Sequence, residues 1–261
     1  MHIKFNMPIL QTKNLPRINA FDIRGLTKRF DGVKAVDGLS VDIEKGEITG
    51  IIGPNGSGKT TLVNLLSGMV GIDGGMVIVD GSLKLVKIKP YDISTYGITR
   101  TFQEARLFNQ MTVLDNALAV LTERNVFGAL FEKHNDYHLG KAKDALEKVS
   151  LWEKRNELAV NLSYGQRKLL EIARAISTQA EIYLLDEPFA GLFPEIIKTV
   201  SGIIKNLKQE GKTVILIEHN MELIRELCDY TIVMDSGKLL AEGKPEEVLR
   251  KKEVVEAYLG E

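Results

Sequence analysis

Apolar residues follow two alternating rhythms along this chain. Ile48–Ile52, Ile182–Leu185, Val214–Ile217 and Ile232–Met234 are almost uniformly apolar, as strands covered on both faces of a parallel sheet tend to be. Leu39-Ser40-Val41-Asp42-Ile43 instead alternates apolar with polar, which predicts a strand with one wet face. Ile196, Ile197, Val200, Ile203, Ile204 and Leu207 recur at helical spacing. They lay one apolar stripe along a helix that Gly211 ends. Strands and helices in alternation predict an α/β fold around a mostly parallel sheet.

Between Glu104 and Ala175 the strand-like runs disappear. Thr112-Val113-Leu114-Asp115 has the form of a capping box opening a helix through Leu121. Ala142, Ala145, Leu146 and Val149 give a second apolar face, and residues 122–140 between the two read as irregular. The pattern predicts a helical subdomain, about residues 104–175, inserted into a core of about 20–103 and 176–261. Residues 1–19 show no continuous apolar h-region and read as a poorly ordered extension; either Met1 or Met7 could start translation.

Composition narrows the function classes. The 261 residues are enough for a sizeable core. With 34 basic and 35 acidic residues the net charge is −1, which lacks the basic excess of a nucleic-acid binder. Cys228 is the single cysteine, so no internal disulfide can form and a reducing compartment is expected. No apolar run is long enough to span a bilayer. These features together predict a cytoplasmic protein.

Chemistry-bearing motifs follow in a fixed order. GPNGSGKT, Gly53 to Thr60, fits the phosphate-loop pattern, with an apolar strand before it and the helical residues Leu62, Val63, Leu65 and Leu66 after it. Gly53, Gly56 and Gly58 free the backbone to wrap oxygens. Successive N–H groups of this stretch, from Asn55 through Ser57 to Thr61 with Pro54 shaping its entry, and the helix start then attract phosphates. Lys59 adds charge at the β/γ-phosphates, and the Thr60 hydroxyl suits Mg²⁺. Such a loop serves kinases, GTPases and motors alike. IYLLDEP ends a buried strand on Asp186 and Glu187. Strand alternation points adjacent carboxylates apart, leaving Asp186 for the metal sphere and Glu187 as general base for an attacking water. In LSYGQ, Ser163 and Gln166 form a capping box. The helix start they expose is either a second anion site or simply a well-capped helix.

Where LSYGQ precedes LLDEP, the chain resembles the nucleotide-binding subunits of ATP-binding cassette (ABC) transporters. The resemblance implies a RecA-like P-loop NTPase core, an antiparallel β subdomain and the inserted helical subdomain. LSYGQ is similar to that family's LSGGQ motif with Tyr164 in place of a glycine. The match implies that Ser163, Tyr164, Gly165 and Gln166 of one subunit contact the γ-phosphate held by the P-loop of another. Phe30 resembles the aromatic residue that stacks on adenine, Gln103 the glutamine that senses Mg²⁺ and water, and His219 the switch histidine at the γ-phosphate. One position departs: Phe193 stands where the family pattern has an aspartate, so cross-subunit hydrogen bonding there is not expected.

RTFQEARLFNQMTVLDNALAV, EPFAGLFPE, IEHNMELI and the ending VVEAYLGE are most similar to the ATPases of branched-chain amino-acid importers and related urea and short-amide importers; a lipid exporter is the alternative. Implied ligands are ATP and Mg²⁺. Implied partners are a second ABC ATPase subunit, identical or paralogous, membrane-spanning permease subunits and, through them, a solute-binding protein. The expected location is the inner face of the cell membrane. The permease contact is expected beside Gln103, with Leu107 and Phe108 as candidates. Soluble ABC ATPases of DNA repair or translation carry long coiled coil or two cassettes, and neither pattern is present. A non-hydrolysing structural role conflicts with Glu187 and His219. His134 and His138 are four apart but lack a third metal ligand. Asn161-Leu162-Ser163 is a glycosylation sequon by letter only.

Overall fold

A computed structural model describes residues 18–121 and 136–259. β1 (Asn19–Phe30) and β2 (Val33–Glu44) open the chain as a hairpin, and β3 (Ile48–Ile52) leads through the Gly53–Gly58 loop into α1 (Lys59–Leu66). β4 (Gly74–Val79) and β5 (Leu83–Leu85) join the hairpin in an antiparallel sheet of order β2-β1-β4-β5. β6 (Ile98–Arg100) then starts the path to three helices, α2 (Val113–Leu118), α3 (Asp136–Lys148) and α4 (Tyr164–Ser177). The remainder runs β7 (Ile182–Asp186), α5 (Pro194–Gln209), β8 (Thr213–Ile217), α6 (Met221–Leu227), β9 (Tyr230–Asp235), β10 (Lys238–Gly243), α7 (Pro245–Val248) and α8 (Lys252–Leu259).

The second sheet has the order β10-β9-β3-β8-β7-β6, and every pairing in it is parallel except β10 with β9. Its four central strands, β9, β3, β8 and β7, are buried on both faces, and their side chains divide by parity. Ile48, Ile52, Tyr183, Leu185, Val214, Leu216 and Val233 enter one apolar cluster with the helices α2 to α6. Ile51, Ile182, Leu184, Ile215, Ile217, Ile232 and Met234 enter another with α1 and the antiparallel sheet. A strand's two-residue period makes the split, and each fully buried Ile or Leu contributes roughly 1.5–3 kcal/mol. The α/β fold expected from the alternation, and the P-loop core with an antiparallel sheet that the resemblance implied, are therefore present, with the helices of the middle segment sharing a core with α5 and α6. Cys228 packs in that cluster, where burial pushes its thiol up to about 12.

Two local expectations change. α2 ends at Leu118 instead of Leu121, because the Leu121 amide bonds the Leu118 carbonyl at 2.9 Å and closes a tighter turn. Residues 136–140, expected to be irregular, are the first turn of α3. Tyr137 and Leu139 are exposed there, so that turn carries no apolar stripe for a pattern to reveal. Residues 122–135 of the irregular stretch, His134 among them, and 1–17 of the N-terminal extension lie outside the described residues. Among the described residues no cluster of three potential metal ligands of the His, Cys, Asp and Glu types occurs.

Candidate active site

β3, β8, β7 and β6 are consecutive parallel neighbours in the sheet, so the segments leaving their carboxyl ends meet along one edge. Those segments carry Gly53–Thr60, His219, Asp186–Glu187 and Gln103 respectively. Four motifs scattered over some 165 residues of sequence thus converge through strand order alone.

The phosphate loop is shaped by what its glycines must avoid. A Cβ on Gly53 (φ 147°) would lie 2.0 Å from the Met234 carbonyl, and one on Gly58 (φ 100°) 2.3 Å from the Ala35 carbonyl. Neither position admits a side chain. The loop is tied down further by Gly237 N–H to Ser57 O, 3.0 Å, and Asp37 N–H to Gly237 O, 2.9 Å. Lys59, on the first turn of α1, donates from Nζ to Gly53 O (2.7 Å), Pro54 O (2.8 Å) and Ser57 Oγ (3.3 Å). Its ammonium is thus cradled by its own loop. Asn55, Gly56 and Thr60 are exposed, and Thr61 is half-buried, while Ser57 is buried. Phe30 is 44% exposed at the hairpin tip, with Lys28 Nζ 5.2 Å from its ring centroid; it is not a core phenylalanine.

Gln103, Glu187 and His219 come into contact. Gln103 Nε2 donates to Glu187 Oε2 at 2.9 Å, and His219 Nε2 lies 3.0 Å from Glu187 Oε1. One carboxylate therefore holds both partners. Divergence of Asp186 from Glu187 has a different origin from the strand alternation expected. β7 stops at Asp186, and Glu187 adopts a left-handed backbone (φ 47°) fixed by its N–H on Ile217 O at 3.0 Å. The strand thus ends at this turn, before Pro188 is reached. A non-glycine residue there costs on the order of 1 kcal/mol.

Asp186 is buried, and its Oδ2 accepts from Arg100 at 2.9 Å. Arg100 also donates to Asn64 Oδ1 and Ser67 Oγ, each at 2.7 Å. Burial pushes the Asp186 carboxyl up, with Arg100 opposing, and lowers the Arg100 guanidinium. Arg100 was silent in the sequence because an arginine on an apparently exposed TRTFQ segment announces no partner.

The capping box of α4 forms as its sequence requires: Ser163 N–H to Gln166 Oε1 is 3.0 Å, and Gln166 N–H to Ser163 Oγ is 3.4 Å. Tyr164 donates to Ala190 O at 3.2 Å, which seats its ring on Gly191 in the loop after β7. A Cβ at Gly165 would lie 2.3 Å from Ile196 Cδ1, so packing on α5 already accounts for that glycine. Phe193 is the N-cap residue of α5, 74% exposed and without a side-chain cap bond. Lys168 and Glu171, on the same helix as the motif, were also missed. Both are buried, but they share a helix face with Arg174, so in the sequence they read as an ordinary solvated charged face and give no signal.

The ABC transporter family model matches residues 36–190, and the model for the branched-chain amino acid ATP-binding cassette transporter matches 238–261. The high-affinity branched-chain amino acid transport ATP-binding protein LivG of Salmonella typhimurium is 39% identical, over 92% of this chain and 97% of that one. Its counterpart BraF of Pseudomonas aeruginosa is 38% identical over the same shares. A solved nucleotide-free ATP-binding cassette from an ABC transporter is 34% identical, with a TM-score of 0.83, covering 93% of this chain and 100% of that one. With its phosphate loop, strand-end carboxylates and capped helix arranged on this sheet, the chain belongs to the ATP-binding ATPase family of ABC transporters.

Proposed function

We propose that this chain is the ATP-hydrolysing subunit of a branched-chain amino-acid importer. The observation that carries the hydrolytic reading is the contact of Gln103 and His219 with the two oxygens of Glu187. Glu187 accepts the proton of the attacking water, and His219 and Gln103 hold the carboxylate in line. Lys59 and the amide N–H groups of Asn55–Thr61 bind the β/γ-phosphates, and Phe30 stacks on the base. Donors of the oxygen class, Thr60, Asp186 and Gln103, suit a hard cation. With its amide nitrogen on Glu187, Gln103 keeps its carbonyl for that role. They would hold Mg²⁺, which neutralises charge on the phosphates when bound.

The substrate reading rests on the relatives, whose names specify branched-chain amino acid transport. No helix among the described residues is long and apolar enough to cross a membrane. The relatives' names describe ATP-binding proteins of a transport system, and on that ground motion passes from this chain to separate permease subunits at the inner face of the membrane. Residues 104–175 act as an inserted helical unit in that transfer. Ser163–Gln166 of a second copy or a paralogue closes the nucleotide from the other side, with ATP favouring the closed pair and hydrolysis reopening it. A cavity of about 550 Å³ lined by Met69, Ile93, Phe102 and Val120 is the seat for the permease; neither Leu107 nor Phe108 lines it. The test is Glu187→Gln. ATP affinity should stay, while phosphate release falls about a hundredfold or more. Hydrolysis within a few-fold of the parent would remove Glu187 from its role.

A further inference from the structure

Helix α4 carries the capped motif at its start, yet its middle is occupied by charges buried as deeply as core leucines. Lys168 is 1% exposed and Glu171 6%. Burial pushes the Lys168 ammonium down and the Glu171 carboxyl up. Charges are withdrawn from water this far only when specific partners replace it.

Those partners are main-chain groups of one short segment. Lys168 Nζ donates to Phe102 O at 3.1 Å and to Gln103 O. Glu171 Oε1 accepts the Phe102 N–H at 2.9 Å, and Glu171 Oε2 lies 3.8 Å from Lys168 Nζ. One turn further along, Arg174 donates to Arg106 O. Residues 168, 171 and 174 share one face of the helix, so a single face grips the backbone from 102 to 106. The Phe102 ring meets the guanidinium groups of both Arg106, 3.9 Å from its centroid, and Arg100, 4.9 Å. Arg100 in turn bonds Asp186.

A core-packing role does not account for this arrangement. Aliphatic residues at 168 and 171 would fill the volume without the desolvation cost, but they could not fix peptide groups in orientation. Charge-assisted bonds are directional, and the peptide they orient is the one that projects Gln103 onto Glu187. We infer that Lys168 and Glu171 are positioning residues for hydrolysis, holding the Phe102–Gln103 peptide so that the Gln103 side chain meets Glu187. The device links the helix that begins at Ser163 to the Gln103–Glu187 contact within one subunit. Displacement of α4 then moves Gln103 with it. This inference rests on the hydrolytic role proposed for Gln103.

The experiment compares the parent, Glu171→Gln, and Lys168→Met combined with Glu171→Gln. The combination removes both charges of the buried pair, so neither Lys168 nor Glu171 strands the other, and it guards against simple misfolding. In nucleotide-free protein, amide hydrogen exchange in a peptide spanning 100–106 should quicken at least about fivefold in both variants, with peptides from β7 and β8 unchanged. Turnover of Mg-ATP should fall about tenfold or more while the Kd for Mg-ADP stays within twofold. In a Gln103→Ala background the same substitutions should lower turnover no further. Parental exchange at 100–106, or an equal loss of turnover with Gln103 already removed, overturns the positioning role. Gln103→Ala with full turnover would instead defeat the role of Gln103, even where the exchange result stands.

Discussion

Glu187 and Asp186 are adjacent in sequence and do unlike work because their surroundings differ. Asp186 sits on the last position of a buried strand against Arg100, whereas Glu187 turns through a left-handed backbone to face Gln103 and His219. Lys168 and Glu171 show what a buried pair demands, with side chains 2% and 7% exposed. Lys168→Met alone strands the Glu171 carboxylate, and a loss of about 3–5 kcal/mol is expected by urea unfolding at neutral pH. The sign of its pH dependence follows from the direction of the shift. Burial already holds the folded-state Glu171 above its ordinary value, with Lys168 and Arg174 opposing. Removing Lys168 raises it further. The folded variant then binds the proton more tightly than the unfolded chain, so its deficit should shrink as pH falls towards the ordinary carboxylate range. A deficit that grows on acidification would contradict the assignment.

Single elements here are fixed largely by their ends. α4 starts where Ser163 and Gln166 satisfy each other's amides, and α2 starts on the Thr112–Asp115 box. Ser163→Ala removes the 3.4 Å bond but leaves Gln166 Oε1 on the residue-163 amide. The expected loss is about 0.5–1 kcal/mol, measured by denaturant unfolding of the nucleotide-free chain. A change several times larger would mean that Ser163 holds more than the cap. α5 opens without a side-chain cap, on Phe193 and Pro194. That proline presets φ and needs no amide partner. Gly211, at φ 78° just past α5, closes it in the way its position suggested.

For the whole molecule, the decisive arrangement is a sheet order that interleaves distant strands, with β8 seated between β3 and β7. It gathers the motifs at one edge and leaves the Met69–Phe102–Val120 cavity beside them. Met69→Glu, at a residue 41% exposed, should weaken co-purification with the proposed permease subunits. ATP binding by the isolated chain should be unchanged, because surface substitutions stay within about ±0.5 kcal/mol. Undiminished assembly would move the permease elsewhere. The buried strands, the capping boxes and the phosphate loop were legible in the order of residues, since each depends on residues a few positions apart and on fixed periods of backbone geometry. The sequence also supplied the motif order that identified the family. It took the folded chain to reveal that Arg100 faces Asp186, that Lys168 and Glu171 grip the Phe102–Gln103 peptide, and that Glu187 turns by its own backbone. Those contacts join residues some 65 to 86 positions apart, or depend on a single dihedral angle. No local pattern records them, because a buried charge reveals its partner only once the chain has folded around it.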